Sequence, residues 1–121
     1  MVTRHDKGRE GEFLAAEYLK QHGIKVVAQN FRCPIGEIDL IGRDGKTIVF
    51  VEVRSRSTAN YGLPQESISR SKQRRLTRLA QWYLKRYGLE RESARFDVVA
   101  ILWQDGKPEL TWIVNAFEAR E

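Results

Sequence analysis

The chain has 121 residues, which suffices for one hydrophobic core but not for two ordinary domains, so a single domain over 1–121 is predicted. Hydrophobic residues make up 41% of it, but no apolar run exceeds the six residues 98–103, whereas a membrane-spanning helix needs about 20. The net charge of +5 suggests a polyanionic partner, and a single cysteine together with an N-terminus that lacks an apolar leader indicates a cytoplasmic protein.

The first half of the chain predicts a helix followed by three strands. Residues 8–22 have helical periodicity with an apolar face that includes Phe13, Ala16 and Leu19, and Gly23 follows as a C-terminal cap. Residues 24–31 are predicted to form a strand. Residues 37–42 and 47–54 are predicted to pair as a hairpin, because the Asp44-Gly45 dipeptide between them favours a tight turn.

The second half predicts a loop, a long helix and two more strands. The polar stretch from 55 to about 64 has no regular periodicity, and a helix is expected from about Glu66 to Tyr87. Strands at 95–103 and 110–117 complete the order α-β-β-β-α-β-β, which describes an α/β domain with a mixed sheet and helices packed on it. The apolar stripe of the long helix consists of Leu76, Leu79, Ala80, Tyr83, Leu84 and Tyr87.

Positive charge is concentrated in one third of the chain. Residues 54–86 contain nine lysines and arginines but only one acid, Glu66, so this segment carries a charge of +8 and the rest of the chain −3. Such a distribution favours a localised anion-binding face over a generally basic surface. The basic residues that carry this interpretation are Arg54, Arg56, Lys72, Arg74, Arg75 and Arg78.

Two acidic residues, Asp39 and Glu52, are embedded in the apolar strands of the hairpin. A two-residue Asp44-Gly45 loop would place Asp39 diagonal to Glu52, and a four-residue loop would place the two directly opposite. Because side chains alternate along strands, both registers put the carboxylates on one face within about 5–8 Å. Arg54 shares this face with Glu52.

Two readings account for this constellation. Neighbouring carboxylates repel unless a cation lies between them, and hard divalent ions such as Mg²⁺ or Mn²⁺ prefer carboxylate ligands. With Arg54 positioned for a phosphate, the residues suit metal-assisted phosphodiester cleavage. The alternative is a structural ion pair of Arg54 with Asp39 or Glu52 on a solvent-facing sheet, and the spacing alone does not separate the two.

The segment 36–41, Gly-Glu-Ile-Asp-Leu-Ile, followed by 49–56, Val-Phe-Val-Glu-Val-Arg-Ser-Arg, resembles the signature of the PD-(D/E)xK nuclease superfamily. The whole chain resembles the YraN-like family, which is related to archaeal Holliday junction resolvases. Further matching segments are Lys7-Gly8 with Glu12, Tyr61-Gly62-Leu63-Pro64, Lys72-Gln73-Arg74-Arg75-Leu76 and Arg95-Phe96-Asp97-Val98-Val99.

The resemblance implies a restriction-endonuclease-like domain with a mixed β-sheet flanked by helices. It implies that Asp39 and Glu52 are ligands of Mg²⁺ or Mn²⁺ and that Glu12 completes the acidic site. One departure is that Arg54 stands where the superfamily has lysine, and an arginine stays protonated and cannot act as a general base. Lys72 lies on the inward side of the long helix, where it could replace that lysine, bind phosphate, or pair with Glu66 or a site carboxylate.

The sequence thus predicts a nucleic-acid-binding protein that acts as a metal-dependent endonuclease, with DNA favoured over RNA and branched or structured DNA as the substrate implied by the resolvases. In this reading Glu12, Asp39, Glu52, Arg54 and Lys72 form the catalytic site, and the segment's other arginines follow the phosphate backbone. A resolvase acts on two strands, so a homodimer is expected for that substrate. The alternative is a catalytically inactive nucleic-acid-binding module of the same fold.

Overall fold

The computed structural model describes the backbone of residues 4–57 and 68–120, and the side chains of residues 8–57 and 68–120. In chain order the elements are α1 (Arg4–Gln21), β1 (Lys25–Cys33), β2 (Gly36–Asp44), β3 (Thr47–Arg56), α2 (Arg70–Arg86), β4 (Ala94–Gln104) and β5 (Lys107–Phe117).

The five strands form one mixed sheet with the spatial order β1-β2-β3-β4-β5. All neighbours are antiparallel except β3 and β4, which are parallel. Parallel neighbours need a long crossover connection, and α2 lies in the segment that provides it. The predicted α-β-β-β-α-β-β order, a mixed sheet flanked by two helices, is therefore confirmed.

Each face of the sheet is covered by one helix. On one face Leu76 and Leu79 of α2 pack with residues such as Ile48 and Phe50. On the other face Ala15, Ala16 and Leu19 of α1 pack with residues such as Leu40, Val49 and Val51. Alternation along β3 thus sends even-numbered residues toward α2 and odd-numbered residues toward α1. Burial of apolar side chains on both faces, at roughly 25 cal/mol per Å², is the main force that holds the layers together.

The alternation fails at one point in β2. Ile38 packs on the α2 side and Leu40 on the α1 side, although residues two apart on a regular strand share a face. The β1–β2 register pairs Gln29 with Leu40 and Phe31 with Ile38, which places Asn30 across from Asp39. Asn30 has a φ of +51°, in the left-handed region, so both strands depart from regular geometry at this position.

Three local expectations were wrong. The long helix begins at Arg70 instead of about Glu66, because Ser69 caps it by accepting a hydrogen bond from the Lys72 amide at 3.1 Å. Tyr87, expected in the apolar stripe of this helix, is its C-cap and is exposed. Phe13, expected on the apolar face of α1, is 58% exposed.

Glu66 and the segment 61–64 lie outside the described residues. No helix within the described part of the chain has the length and hydropathy needed to cross a membrane.

Candidate active site

The central hairpin places the two predicted carboxylates opposite each other. Asp44 pairs with Thr47, so the turn consists of Gly45 and Lys46. This turn lies one residue later in the chain than a turn formed by Asp44 and Gly45. The observed register is therefore the one that sets Asp39 directly across from Glu52. The regular ladder ends at the preceding pair, Leu40 and Val51.

Beyond the Leu40–Val51 pair, β2 contacts the backbone of β3 through the side chain of Asp39. Oδ2 of Asp39 accepts a hydrogen bond from the Val53 amide at 2.8 Å. The irregular geometry at Asn30 and Asp39 described above thus lets the Asp39 carboxylate turn toward β3. The Asp39 carboxylate is therefore held at the backbone of Val53, the residue that follows Glu52 on β3.

Glu52 is 7% exposed, and its carboxylate binds a cationic side chain of α2. The Lys72 ammonium, from the first turn of α2, lies 2.6 Å from Oε1 of Glu52. The Arg54 guanidinium lies 3.9 Å from the same oxygen and is half-buried. This contact places Lys72 on the inward side of α2 as expected, and of the roles left open for Lys72 it shows the pairing with a site carboxylate.

Asp39 lies in an environment that disfavours its charge. Burial and then the negative charge of Glu52 are the main causes that raise the pKa of Asp39, and Glu12 adds a smaller effect. Against the lowering effects of the Val53 amide and Lys72, the pKa reaches about 7. One ammonium therefore only partly neutralises the acidic cluster. Functional sites often contain a carboxyl group whose pKa is raised toward 7 beside a second carboxylate.

Glu12 reaches the same region from α1. The helix approaches the sheet closely at Gly11, where an added Cβ would lie 3.1 Å from Cδ1 of Ile101 and 3.7 Å from Cβ of Ser55. This close approach brings the half-buried Glu12 near enough to act on the ionisation of Asp39. The three predicted acidic residues therefore come from three elements, α1, β2 and β3, and act on one site.

The predicted phosphate-binding residues divide into two groups. Arg54 and Arg56, at the end of β3, are half-buried and lie beside or beyond the carboxylates. Arg74, Arg75 and Arg78 are exposed on α2, which begins at the site and carries Lys72 in its first turn. Lys72 thus connects the carboxylate site to the exposed basic face of the helix.

The carboxylates supply part of the ligand set that a metal ion needs. Within residues 8–57 and 68–120 no group of three or more His, Cys, Asp or Glu side chains is arranged to hold a metal ion by itself. Asp39 and Glu52 nevertheless form an under-neutralised pair of hard oxygen ligands. Mg²⁺ commonly uses one or two protein carboxylates and completes its shell with water and substrate phosphate, so this donor set fits Mg²⁺ or Mn²⁺.

Another buried carboxylate, that of Asp97, has its bonding capacity filled by structural partners. It is fully buried, and Nε of Arg95 lies 3.0 Å from its Oδ1. Oδ1 also accepts from the Asn115 amide at 3.0 Å, and Oδ2 from Nε1 of Trp112 at 3.0 Å. Because Asp97 ties β4 to β5 in this way, we assign it to the fold rather than to the site.

The residues that sequence reasoning missed line an open cleft of about 710 Å³ next to Glu12. Arg9 and Phe13 come from α1, and Asn30 and Arg32 come from β1. The one sequence signal for it is the polar Gln-Asn pair at 29–30 within an otherwise alternating strand. The cleft adjoins the carboxylates because Asn30 is the cross-strand neighbour of Asp39.

These features define a mixed α/β protein in which a pair of carboxylates, one of them bound to a lysine, lies beside a basic helix. Comparison with known proteins assigns the family: the model of "Uncharacterised protein family UPF0102" matches residues 11–101. A UPF0102 protein of Desulfosudis oleivorans is 48% identical over 116 residues, 96% of this chain and 93% of the relative. One of Geobacter metallireducens is 45% identical over 120 residues, 97% and 98% of the two chains. The chain belongs to the UPF0102 family, the YraN family that its motifs indicated.

Proposed function

We propose that this protein is a metal-dependent endonuclease that hydrolyses phosphodiester bonds of nucleic acid. DNA is preferred, and branched or structured DNA is the substrate that the resemblance to resolvases implies. The observation that carries the proposal is the Lys72 ammonium 2.6 Å from Glu52, beside Asp39 with its raised pKa. This arrangement attracts cations at the point where the basic helix begins.

The carboxylates would hold the metal. Asp39 and Glu52 are its candidate ligands, and a bound Mg²⁺ or Mn²⁺ supplies an activated water and stabilises negative charge on the phosphate. Glu12 adds negative charge from α1 without being needed as a ligand. The Val53 amide holds the Asp39 carboxylate in place through its 2.8 Å hydrogen bond, so the ligand geometry is set by the protein before any ion binds.

The two basic residues at Glu52 have different chemical capacities. Arg54 stays protonated and binds a phosphate through its planar guanidinium, which suits it to hold the scissile phosphate rather than to move protons. Lys72, whose ammonium lies against Glu52, would be available to a phosphate if the carboxylates held a divalent ion, since that ion would neutralise Glu52 in its place. Lys72 is thereby the residue that stands in for the superfamily lysine absent at position 54.

The exposed arginines extend the site toward a long polyanion. Arg74, Arg75 and Arg78 lie on the helix that carries Lys72 in its first turn, so a strand bound at the carboxylates continues along a positive surface. Contacts of this kind supply affinity without sequence specificity. The +8 charge of segment 54–86 is therefore used next to the acidic site rather than spread over the protein.

A second candidate is a nucleic-acid-binding module without hydrolytic activity. It is favoured by one observation, that both basic groups at the site, Arg54 and Lys72, already neutralise Glu52. In this case the ammonium of Lys72 permanently takes the place of a metal ion, and the basic face binds the backbone alone.

Cleavage assays separate the two candidates. Purified protein is incubated with labelled four-way junction, flap, duplex and single-stranded DNA and with matched RNA, in Mg²⁺, Mn²⁺ or EDTA. We expect metal-dependent cleavage that Asp39→Asn and Glu52→Gln each reduce at least about 100-fold, the equivalent of the several kcal/mol a metal ion contributes. Glu109→Gln, at an exposed position of β5, serves as the matched control. Binding without cleavage in any metal rejects the nuclease.

A four-way junction imposes a further requirement. Two strands of the junction are cut, so we propose that two copies of the chain act on it together. Sedimentation of the protein with and without an uncut junction, in EDTA, measures the stoichiometry. A single copy bound per junction contradicts this part of the proposal and leaves the cleavage assays unaffected.

A further inference from the structure

We infer that the cleft beside Glu12 binds an unpaired nucleobase, so that the preferred substrate carries an unpaired nucleotide next to the phosphate held at Asp39 and Glu52. The inference rests on the proposed function, because it names the substrate feature that the same site would select. It is carried by side chains of the cleft that the carboxylate site does not use.

The cleft lies next to the carboxylate site. Glu12 lines it and also acts on the ionisation of Asp39. Asn30, on the strand that forms its other wall, lies between Gln29 and Phe31, whose Cα partners Leu40 and Ile38 flank Asp39. A nucleotide whose phosphate lies at the carboxylates therefore has its neighbour within reach of the cleft.

The side chains of the cleft match the chemistry of a base. Phe13 is 58% exposed, an unusual state for a phenylalanine, and offers an aromatic face on which a base can stack. Gln29 and Asn30 are exposed amides with both donor and acceptor atoms, which suit the edge of a base. Arg9 and Arg32 are exposed cations at the same cleft. Arg32 is paired with Glu37, another lining residue, at 3.1 Å, so Arg9 is the cation placed for a flanking phosphate.

The size and shape of the cleft argue against a paired base as its ligand. Its volume of about 710 Å³ lies in the usual range for a small-ligand site. An aromatic ring cannot stack on a base that is already stacked and paired in a duplex, so the base must be unpaired or leave the helix first. Unpaired nucleotides already present at a bulge or a branch avoid that cost of a few kcal/mol.

The geometry of Asn30 supports a role in binding. Its φ of +51° is uncommon outside glycine, although asparagine tolerates it better than most residues, and glycine adopts it without strain. Glycine at this position would preserve the backbone and remove only the amide. Asn30→Gly therefore tests the side chain without changing the fold, and Phe13→Ala does the same at an exposed helix position, where alanine is a favourable residue.

The test measures binding without cleavage. Fluorescence anisotropy in EDTA compares a duplex that contains one unpaired nucleotide, the fully paired duplex of the same sequence, and a free mononucleotide as competitor. We expect wild-type protein to prefer the unpaired substrate. Phe13→Ala should weaken that complex roughly 5- to 150-fold, the affinity equivalent of stacking one base on an aromatic ring, and change binding of the paired duplex less than about twofold. Asn30→Gly should reduce discrimination among the four unpaired bases.

The controls separate this inference from the proposed function. Phe13→Tyr should retain the preference, and Tyr87→Ala, which removes another exposed aromatic residue at the far end of α2, should not alter it. Equal losses on both duplexes in Phe13→Ala, or no preference in wild-type protein, overturn the inference even if the enzyme cleaves DNA. Selective binding that depends on Phe13 supports it even if no cleavage is found, and inhibition by the mononucleotide alone would mark a free nucleotide as the ligand and overturn it.

Discussion

The ammonium of Lys72 lies 2.6 Å from Oε1 of Glu52, and this contact joins α2 to the carboxylate pair of the central hairpin. Glu52 is 7% exposed and lies across from Asp39, whose carboxylate is held by the Val53 amide. A single cation from α2 thus stabilises a site that contains two carboxylates and adjoins a third. The contact stabilises the fold. A metal ion would compete with Lys72 for Glu52, and a phosphate would compete with Glu52 for Lys72.

Removal of that ammonium should destabilise the protein. In Lys72→Met the Glu52 carboxylate stays buried beside Asp39 without its partner, and we expect the free energy of unfolding to fall by about 1–3 kcal/mol at pH 8. The lower end reflects the partial exposure of Lys72. Urea denaturation with an unchanged m-value is the measurement. Lys85→Met, on the exposed side of the same helix, should cost less than about 0.5 kcal/mol.

A double variant tests whether the loss arises at Glu52. Lys72→Met combined with Glu52→Gln should recover most of the stability lost in Lys72→Met, because the unpaired charge is removed with its partner. Additive losses in the double variant would show that Lys72 stabilises α2 by other contacts and that the ion pair contributes little.

The two carboxylates bound to Arg95 should respond very differently to substitution. Asp97 is fully buried and bonded to Arg95, Trp112 and the Asn115 amide, so Asp97→Asn is expected to cost about 3–5 kcal/mol. Asp44 binds the same guanidinium at 2.8 Å but is exposed, so Asp44→Asn should cost less than about 1 kcal/mol. Thermal and urea unfolding measure both. Equal costs would contradict the structural role of Asp97.

The basic face of α2 should determine how strongly binding depends on salt. Each phosphate contact contributes about −0.9 to the slope of log K against log salt concentration for duplex DNA. The triple variant of Arg74, Arg75 and Arg78 to glutamine should therefore reduce the slope by up to about 3 and weaken binding to all sequences alike. The slope is measured by anisotropy titrations across a range of salt concentrations in EDTA.

The matched control removes the same charge elsewhere. Glutamine at Lys46, Lys85 and Arg91 changes the net charge equally, but these exposed residues lie in the β2–β3 turn, the last turn of α2 and the segment after it. We expect a change in slope of less than about 1. Similar slopes in the two triple variants would show that the protein attracts nucleic acid by its net charge and not by this face.

Part of the acidic site could be predicted because it follows from regular periodicities. Alternation along β3 places Glu52 on the side of α2, and the helical stripe that begins at Leu76 places Lys72 on the inward side. The hairpin register brings Asp39 opposite Glu52, but the contact of its carboxylate with β3 depends on a local irregularity. The cleft could not be predicted in the same way. The left-handed φ of Asn30 and the break in alternation at Asp39 arise where two strands meet, and the residues themselves are compatible with a regular strand.

The exposure of Phe13 was missed for a related reason. The apolar residues of α1 at positions 13–16, 18 and 19 cover more of the helix than one sheet face can bury, so the periodicity does not tell which of them faces the core. Only Ala15, Ala16 and Leu19 of this group are fully buried, because the close approach at Gly11 fixes the rotation of the helix. Phe13 consequently lies beside the cleft.

The ionisation of Asp39 should lower stability as the pH rises. Its pKa is about 7 in the folded protein against 3.8 for an unperturbed aspartate, so between these values the folded state binds the proton that the unfolded state has lost. Stability associated with Asp39 is therefore fully present below about pH 4 and is lost as the pH rises through 7. At 1.36 kcal/mol per unit of pKa, the loss is at most about 4 kcal/mol.

Comparison with Asp39→Asn isolates this effect, since asparagine retains an oxygen for the Val53 amide and does not titrate. The two proteins should unfold at similar urea concentrations at pH 4, and the variant should be the more stable of the two at pH 8. If the carboxylates bind Mn²⁺, millimolar Mn²⁺ at pH 8 should stabilise the wild type more than the variant, because the ion neutralises the charge that burial disfavours. A stability difference that does not change with pH would contradict the raised pKa, and so the view that this site is short of a cation.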